Sequence, residues 1–331
     1  MKYSGIGGQA VMEGIMMRNG SEYAIAVRKP DGEIEIKKEK TGNFPERHKW
    51  AKWPLVRGVV SFIDSLVTGM STLMWSASFA EETEEKNGEK KTETLSDAEM
   101  TFTLILAVAL AIGIFVVLPT VLSGLLKKWI ASSFLRALLE GILRLAIFVG
   151  YVAGISCMKD IKRVYMYHGS EHKCINCVEH GLPLTVENVM KSSKEHKRCG
   201  TSFLIIVMLV SVVVFMFVRI DALFPRILSR LLLVPVIAGI SYEVLRFTGR
   251  SDSKFVYIIS RPGMWMQALT TKEPTADMAE VAIRAVEEVF DWRKFLSENF
   301  PETDLSEKDP SKKDPAEKEP AEKNPAEKES V

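Results

Sequence analysis

Residues 102–122 read FTLILAVALAIGIFVVLPTVL, an apolar run without a single charge. A helix rises about 1.5 Å per residue and a bilayer core is about 30 Å thick, so about 20 such residues suffice to cross it. The segment predicts a transmembrane helix, and further apolar runs at 138–157, 203–220 and 231–247 predict three more. Across all 331 residues the chain is 47% hydrophobic and 26% charged, but the two populations are segregated, with residues 300–331 almost wholly Pro, Ala, Glu, Lys, Asp and Ser. A net charge of +1 lacks the basic surface that nucleic acid demands, so no nucleic-acid partner is expected. Four cysteines exclude a disulfide scaffold. The fold class that follows is mainly α: a polytopic helical membrane protein with a small N-terminal β unit and a disordered C-terminal tail.

Glu140 and Arg144 lie one turn apart in the second run, and Glu243 and Arg246 near the end of the fourth, so such charges should face the bundle or snorkel. The first residues, MKYSGIGGQAVMEGIMMR, lack a signal-peptide pattern, which leaves the helices themselves as the membrane anchors. The 158–202 stretch reads as a His/Cys loop far richer in Lys and Arg than the loop before it, placing it in the cytoplasm. Four spans then put both termini there too.

Residues 55–80 (LVRGVVSFIDSLVTGMSTLMWSASFA) are also long enough to cross, but Arg57, Ser61, Asp64, Ser65, Thr68, Thr72 and Ser76 draw one polar stripe down the helix. An amphipathic or re-entrant helix is expected there, followed by an acidic linker at 81–101. Within the N-terminal unit, 1–54, YAIAVRKPDGEIEIKK (23–38) reads as a hairpin turning at Pro30, Asp31 and Gly32. Beyond the fourth run, 248–299 reads as a cytoplasmic helical segment. Its first part is interfacial and stopped by Pro262, and its second is an amphipathic helix from 276 to 298 capped by Thr275, a surface for protein partners. The 300–331 tail repeats DPAEK, EPAEK and NPAEK, and proline in every copy bars helix and sheet alike.

The chemistry concentrates at residues 168–199, HGSEHKCINCVEHGLPLTVENVMKSSKEHKRC, which hold seven of the nine His and Cys residues in the chain. Such a mixture of imidazole and thiolate suits zinc. His168-Gly169-Ser170-Glu171-His172 spells H-x-x-E-H, which on a helix sets two imidazoles one turn apart beside a carboxylate that can act as base. Gly169 and Ser170 weaken the helix this requires. An inverted zinc protease would also need a third ligand, for which Glu243 is available. Alternatively His196 and Cys199 close the site, with Cys177 or Cys174, as four protein ligands of a structural centre. Cys174 and Cys177 as a redox pair lack a thioredoxin-like context.

Four blocks carry a family likeness: GGQAVMEGIMMR (7–18), YHGSEHKCIN (167–176), HKRCGTSF (196–203), and RPGMWMQALTTKEPT followed by EVAIRA (261–285). Together they resemble the YqhQ family of bacterial membrane proteins, described generally as predicted metal-dependent enzymes of unknown function. The resemblance covers residues 3–295 and leaves the pentad tail outside. It implies that Glu13 and Arg18, then His168, Glu171 and His172, then His196 and Cys199 are the residues that matter.

Three functions remain in view. One is a membrane-bound, metal-dependent hydrolase with His168, His172, His196, Cys199 and Cys177 as candidate zinc ligands and Glu171 or Glu13 as base, acting on a small molecule, lipid or peptide. A second is a scaffold or assembly factor with a structural metal. A third is a transporter using the intramembrane charges, for which no internal repeat speaks.

Overall fold

The computed structural model describes residues 1–41, 48–86, 97–218, 220–249 and 253–303. The pentad tail from 304 and the middle of the acidic linker, 87–96, lie outside the described residues. Gly7–Val11 (β1), Gly14–Asn19 (β2), Glu22–Arg28 (β3) and Ile34–Lys40 (β4) form an antiparallel meander in chain order. The hairpin read from the sequence is the β3–β4 pair: Arg28 lies opposite Ile34, and Gly32 takes φ +89°, open to a residue without Cβ.

The helices are α1 (Val56–Lys86), α2 (Asp97–Ile112), α3 (Leu118–Leu125), α4 (Ser133–Ile155), α5 (Lys159–Glu179) and α6 (Val186–Lys191). They continue with α7 (Gly200–Phe217), α8 (Leu223–Leu232), α9 (Val234–Thr248), α10 (Lys254–Thr270), α11 (Ala276–Val289) and α12 (Trp292–Asn299). Side chains alternate across a strand, and here both faces are used. Ile15, Met17, Ala24 and Ala26 join a core with Ile175 and Val178 of α5 and Met278, Ala282 and Val286 of α11. Met16, Tyr23, Ile25 and Val27 pack instead on Trp75 and Phe79 of α1. The β unit at 1–54 is thus the middle layer of a sandwich, because its central strands bury both faces. Each fully buried aliphatic side chain there contributes roughly 1.5–3 kcal/mol.

Four helical segments, Val56–Phe79, Thr101–Lys128, Ser133–Ile155 and Gly200–Phe217, are long and apolar enough to cross a bilayer, and α8 with α9, bent by 41°, makes a fifth if counted as one span. That set fits a membrane protein. The run at 231–247 is therefore not a straight helix: the break falls at Leu233, just ahead of Pro235, whose ring cannot continue the turn before it. Between α2 and α3 the helix widens into a π turn, Gly113–Val117, and the Phe115 carbonyl accepts a bond from Arg144 Nε at 2.9 Å.

The polar stripe of α1 faces protein. Thr68, Thr72 and Ser76 are buried, Gln9 Nε2 donates to the Gly69 carbonyl, and the Met12 N–H donates to Ser76 Oγ at 3.1 Å. Asp64 pairs with Arg18 at 2.6 Å, while Ile63, Leu66, Val67 and Met70 point outward. The helix continues into the acidic segment as far as Lys86, and residues 97–101 begin α2, so the described flanks of that linker are helical.

Three further expectations need correction. The 158–202 segment is mostly helical, as α5 and α6, because its polar side chains find partners inside the fold. Pro262 does not stop the chain: α10 runs through it from Lys254 to Thr270, packed on α7 where Gly263 meets Ser202. The helix read over 276–298 is two, α11 and α12, broken at Phe290–Asp291, where Asp291 caps α12 by accepting from Lys294 N. Thr275 is the N-cap of α11, though without a side-chain capping bond. The apolar face of α11 is spent on the sheet and α5 rather than left for a partner.

Candidate metal centre

The C-terminal half of α5 is polar in sequence yet buried from Gly169 to Glu179. Burying polar groups costs free energy unless each finds a partner, and the 190–195 segment supplies them as backbone carbonyls. Lys173 Nζ donates to Met190 and Ser192, Asn176 Nδ2 to Ser193 and Glu195, and Ser170 Oγ to Met278. Lys173 is also paired with Glu273 at 2.6 Å.

The two histidines of the H-x-x-E-H motif are held in the same way. His168 Nδ1 lies 2.8 Å from the Thr270 carbonyl and His172 Nδ1 lies 2.6 Å from that of Lys194. A carbonyl only accepts, so each neutral ring carries its proton on Nδ1 and turns a bare Nε2 inward. His168 Nε2 sits 3.1 Å from Cys199 Sγ, and the rings are 4.5 Å apart at their centroids. His168, His172 and Cys199 each offer a ligand atom within 4.8 Å of the others. His172 Nε2 is buried and has no hydrogen-bond partner among the described residues, and the same is true of Glu171 Oε2 beside it. Orphaned buried polar atoms are rare in folded proteins, so the donors present fit a metal ion.

Electrostatics follow the geometry. Burial disfavours charge on both His168 and Cys199. Even so, their contact raises the imidazole to about 9 and, with His172 adding to it, holds the thiol well below its ordinary range. Burial pushes the Glu171 carboxyl up, opposed by His168 and His172 and by the N–H of Gly8.

Above this group lies a cavity of 810 Å³. Its polar floor is His168, Glu171, Thr201 and the β1 backbone at Gly7–Gly8, and its wall is Phe62 and Leu66 of α1, Phe203 and Leu204 of α7, and Tyr242 and Leu245 of α9.

The other sequence-derived candidates lie elsewhere. His196 turns its Nε2 to Glu179 at 3.5 Å, and its ring stays 5.7 Å from that of His172. Cys177 points its Sγ at the Leu182 and Pro183 carbonyls, and Cys174 is buried in the hydrophobic core. Glu13, in the β1–β2 turn at φ +50°, is bound by Arg163 at 2.5 Å and by the Tyr167 hydroxyl. Glu243 is paired with Arg57, whose Nε lies 2.6 Å from Oε1, and Arg18 with Asp64. None of these belongs to the group that could hold a metal: Cys174 is enclosed by the apolar core, and the others are engaged by partners of their own.

A family described as "Protein of unknown function (DUF1385)" matches residues 53–292. The chain is also 34% identical, over 300 residues, to the uncharacterized protein YqhQ of Bacillus subtilis (strain 168), an alignment covering 88% of this chain and 94% of the relative. The chain belongs to the YqhQ family. No solved structure matches it.

Several residues shape the site without carrying obvious chemistry. Gln267 of α10, fully buried, accepts from the His196 N–H at 3.0 Å and donates to the His196 carbonyl at 2.7 Å, which fixes the strand leading to Cys199. Cys199 is the N-cap of α7, with Thr201 Oγ1 3.1 Å from its sulfur. Glu179 gathers Ser4 Oγ at 2.7 Å, Arg198 and His196, and it is held at about 2 by these partners despite burial. Gly8 lets the Glu171 carboxyl approach: a Cβ there would lie 3.2 Å from Glu171 Cδ and 2.5 Å from the Met16 carbonyl oxygen. The sequence offered one signal for these, since Gly8 and Gln267 fall inside the family blocks.

Gly169 has a similar part. A Cβ at this position would fall 2.0 Å from the Lys272 carbonyl oxygen, so only glycine lets the extended segment after α10 lie on α5 and the end of α10 present the Thr270 carbonyl to His168. Gly169→Ala should lower thermal stability by about 1–3 kcal/mol and weaken metal affinity roughly 10–100-fold through the displaced anchor. Melting curves and competition with a chromophoric chelator measure both, and a variant that binds metal like the wild type would show that this anchor is dispensable.

Proposed function

We propose that this YqhQ-family chain is a membrane-embedded, metal-dependent hydrolase whose site faces the cytoplasm. The observation that carries the reading is the three-ligand group of His168, His172 and Cys199 beside Glu171, whose Oε2 has no partner among the described residues, with His168 and Glu171 lining the floor of an 810 Å³ cavity. Two imidazoles and a thiolate are a donor set suited to zinc, and three protein ligands are one short of the four that close a structural site. Zinc held there would supply Lewis-acid polarisation and water activation at neutral pH.

The chain's own residues supply the rest. His168 and His172 are oriented by carbonyls on their Nδ1 atoms, so they present Nε2 without rearrangement. Glu171 is the proton acceptor: its Oε2 has no partner among the described residues, its other contact is the Gly8 N–H, and burial raises its basicity. In hydrolysis it would take a proton from the attacking water and return it to the leaving group, leaving no net change on the protein. Phe62, Phe203 and Leu204 keep bulk water from the cavity wall.

In this reading α1 lies along the membrane interface, its outward apolar side in lipid and its polar stripe on the sheet, with the site and both termini on the cytoplasmic side. The scaffold alternative predicts four protein ligands, and the placement of His196 and Cys177 speaks against it. Transport is disfavoured because Glu140, Arg144 and Glu243 are each locked in pairs.

The test is a variant that separates binding from chemistry. Glu171→Gln should retain wild-type metal content while hydrolysis of a panel of ester, amide and phosphoester substrates falls roughly 10²–10⁴-fold. Wild-type rates in Glu171→Gln on the substrate found would remove Glu171 as base.

A further inference from the structure

A second cavity, of 530 Å³, adjoins the one over the metal group and shares Tyr3, Arg198, Tyr242 and Leu245 with it. Its charges are all positive: Lys52, Arg57, Arg198 and Arg246 line it. Two of them are answered, Arg57 by Glu243 and Arg198 by Glu179. Among the described residues Lys52 and Arg246 have no carboxylate within ion-pair distance, so an excess of positive charge faces this space. Arg198 stands at the junction, its guanidinium 4.0 Å from the Tyr3 ring centre, with one cavity on either side.

The surroundings are those of a membrane interface. Lys52 ends the 3-10 turn Lys49–Lys52, flanked by exposed Trp50 and Trp53, immediately before α1. Tryptophans and lysines of this kind sit at headgroup depth. From the basic chamber the wall runs on through Tyr242 and Leu245 to Phe62, Leu66 and Leu204, all on helices of α1, α7 and α9. Beyond it the outer face of α1 is exposed and apolar.

We propose that the substrate is a lipid with an anionic, phosphate-bearing headgroup. The phosphate docks among Lys52, Arg57, Arg198 and Arg246, the bond to be cleaved lies past Arg198 over His168 and Glu171, and the acyl chains lie along Phe62, Leu66 and Leu204 toward the bilayer. This rests on the hydrolase reading for the cleavage, but the headgroup site stands on its own charges. Basic residues at a surface attract anionic lipid, and guanidinium groups hold phosphate through paired N–H donors. A soluble phosphoester would have no use for the apolar wall.

The experiment titrates the full-length, detergent-purified protein with dioctanoyl phosphatidylglycerol, dioctanoyl phosphatidylcholine and glycerol phosphate, read by native mass spectrometry. The anionic lipid should bind at least roughly tenfold more tightly than either of the others. In Lys52→Gln/Arg246→Gln that preference should disappear while melting temperature and metal content stay at wild-type values. Lys52→Gln alone, at an exposed position, should lose part of it. Equal binding of the two lipids would overturn the headgroup site, and equal binding of glycerol phosphate would overturn the lipid in favour of a soluble phosphoester. His168→Ala separates this proposal from the hydrolase reading: it should lose metal and keep the lipid preference. Lipid preference in a wild type without metal would leave the headgroup site standing and the hydrolase reading refuted.

Discussion

Full-length protein purified in detergent without a histidine tag should carry about one zinc per chain by inductively coupled plasma mass spectrometry, and His168→Ala, His172→Ala and Cys199→Ser should each lose most of it. The expectation follows from convergence. Two imidazole Nε2 atoms and the Cys199 sulfur meet within 4.8 Å, each imidazole is fixed from behind by a carbonyl, and the Nε2 of His172 has no hydrogen-bond partner among the described residues. Removal of one ligand from a three-ligand set leaves two, too few for tight binding. By contrast His196→Ala and Cys177→Ser should keep the metal, since those side chains are engaged with Glu179 and with backbone carbonyls. X-ray absorption should show about one sulfur and two nitrogen neighbours and a further light-atom position that exchanges with solvent. Two sulfurs, or three nitrogens from protein, would mean that Cys177 or His196 swings in and closes the site. No metal in the wild type would turn attention to the 3.1 Å contact between His168 and Cys199, the geometry of a thiolate nucleophile with its imidazole partner.

The largest loss of stability is expected far from that centre, at Glu140. This side chain is 1% exposed and answers three guanidinium groups, Arg144 at 3.1 Å, Arg230 at 3.3 Å and Arg226, with Thr120 and Ser123 also donating to it. Arg144 and Arg230 flank the Phe215 ring. Glu140→Ala strands three cations inside a helical bundle, and breaking a buried pair from one side costs about 3–5 kcal/mol. Melting in detergent should fall by roughly 10 °C or more, taking about 2–4 °C per kcal/mol, or the variant should fail to accumulate in the membrane. Glu140→Gln, which keeps one acceptor oxygen and the volume but not the charge, should fall between. A melting temperature within about 2 °C of wild type for Glu140→Ala would show that the arginines find other partners.

Much of this was open to a reader of the sequence, for reasons that are local. The apolar runs at 102–122 and 203–220 and the hairpin at Pro30–Gly32 announce themselves because hydrophobic length and turn chemistry need no partner. The ligand cluster at 168–199 was visible as composition, and the polar stripe of α1 as periodicity. What could not be read was which members of the cluster meet. Cys199 joins His168 and His172 because Gln267, far along the chain, clamps the His196 backbone; His196, three residues away, is captured by Glu179. The helicity of α5 was hidden too, since a polar, glycine-bearing segment has low propensity and is helical here only because the 190–195 carbonyls and the 270–274 segment satisfy it.

Sequence by itself determined the class of this protein: a helical chain with membrane-length segments, a small sheet, a reactive His/Cys stretch and membership of the YqhQ family. Tertiary structure alone decided which of these residues meet, bringing His168, His172 and Cys199 together beside Glu171 and engaging Glu13, Glu243, Cys177 and His196 elsewhere. The physical reason is range. Helix length, turns and periodicity are set by neighbours a few residues away, whereas a ligand set depends on which buried donors are left without a partner once distant segments have packed.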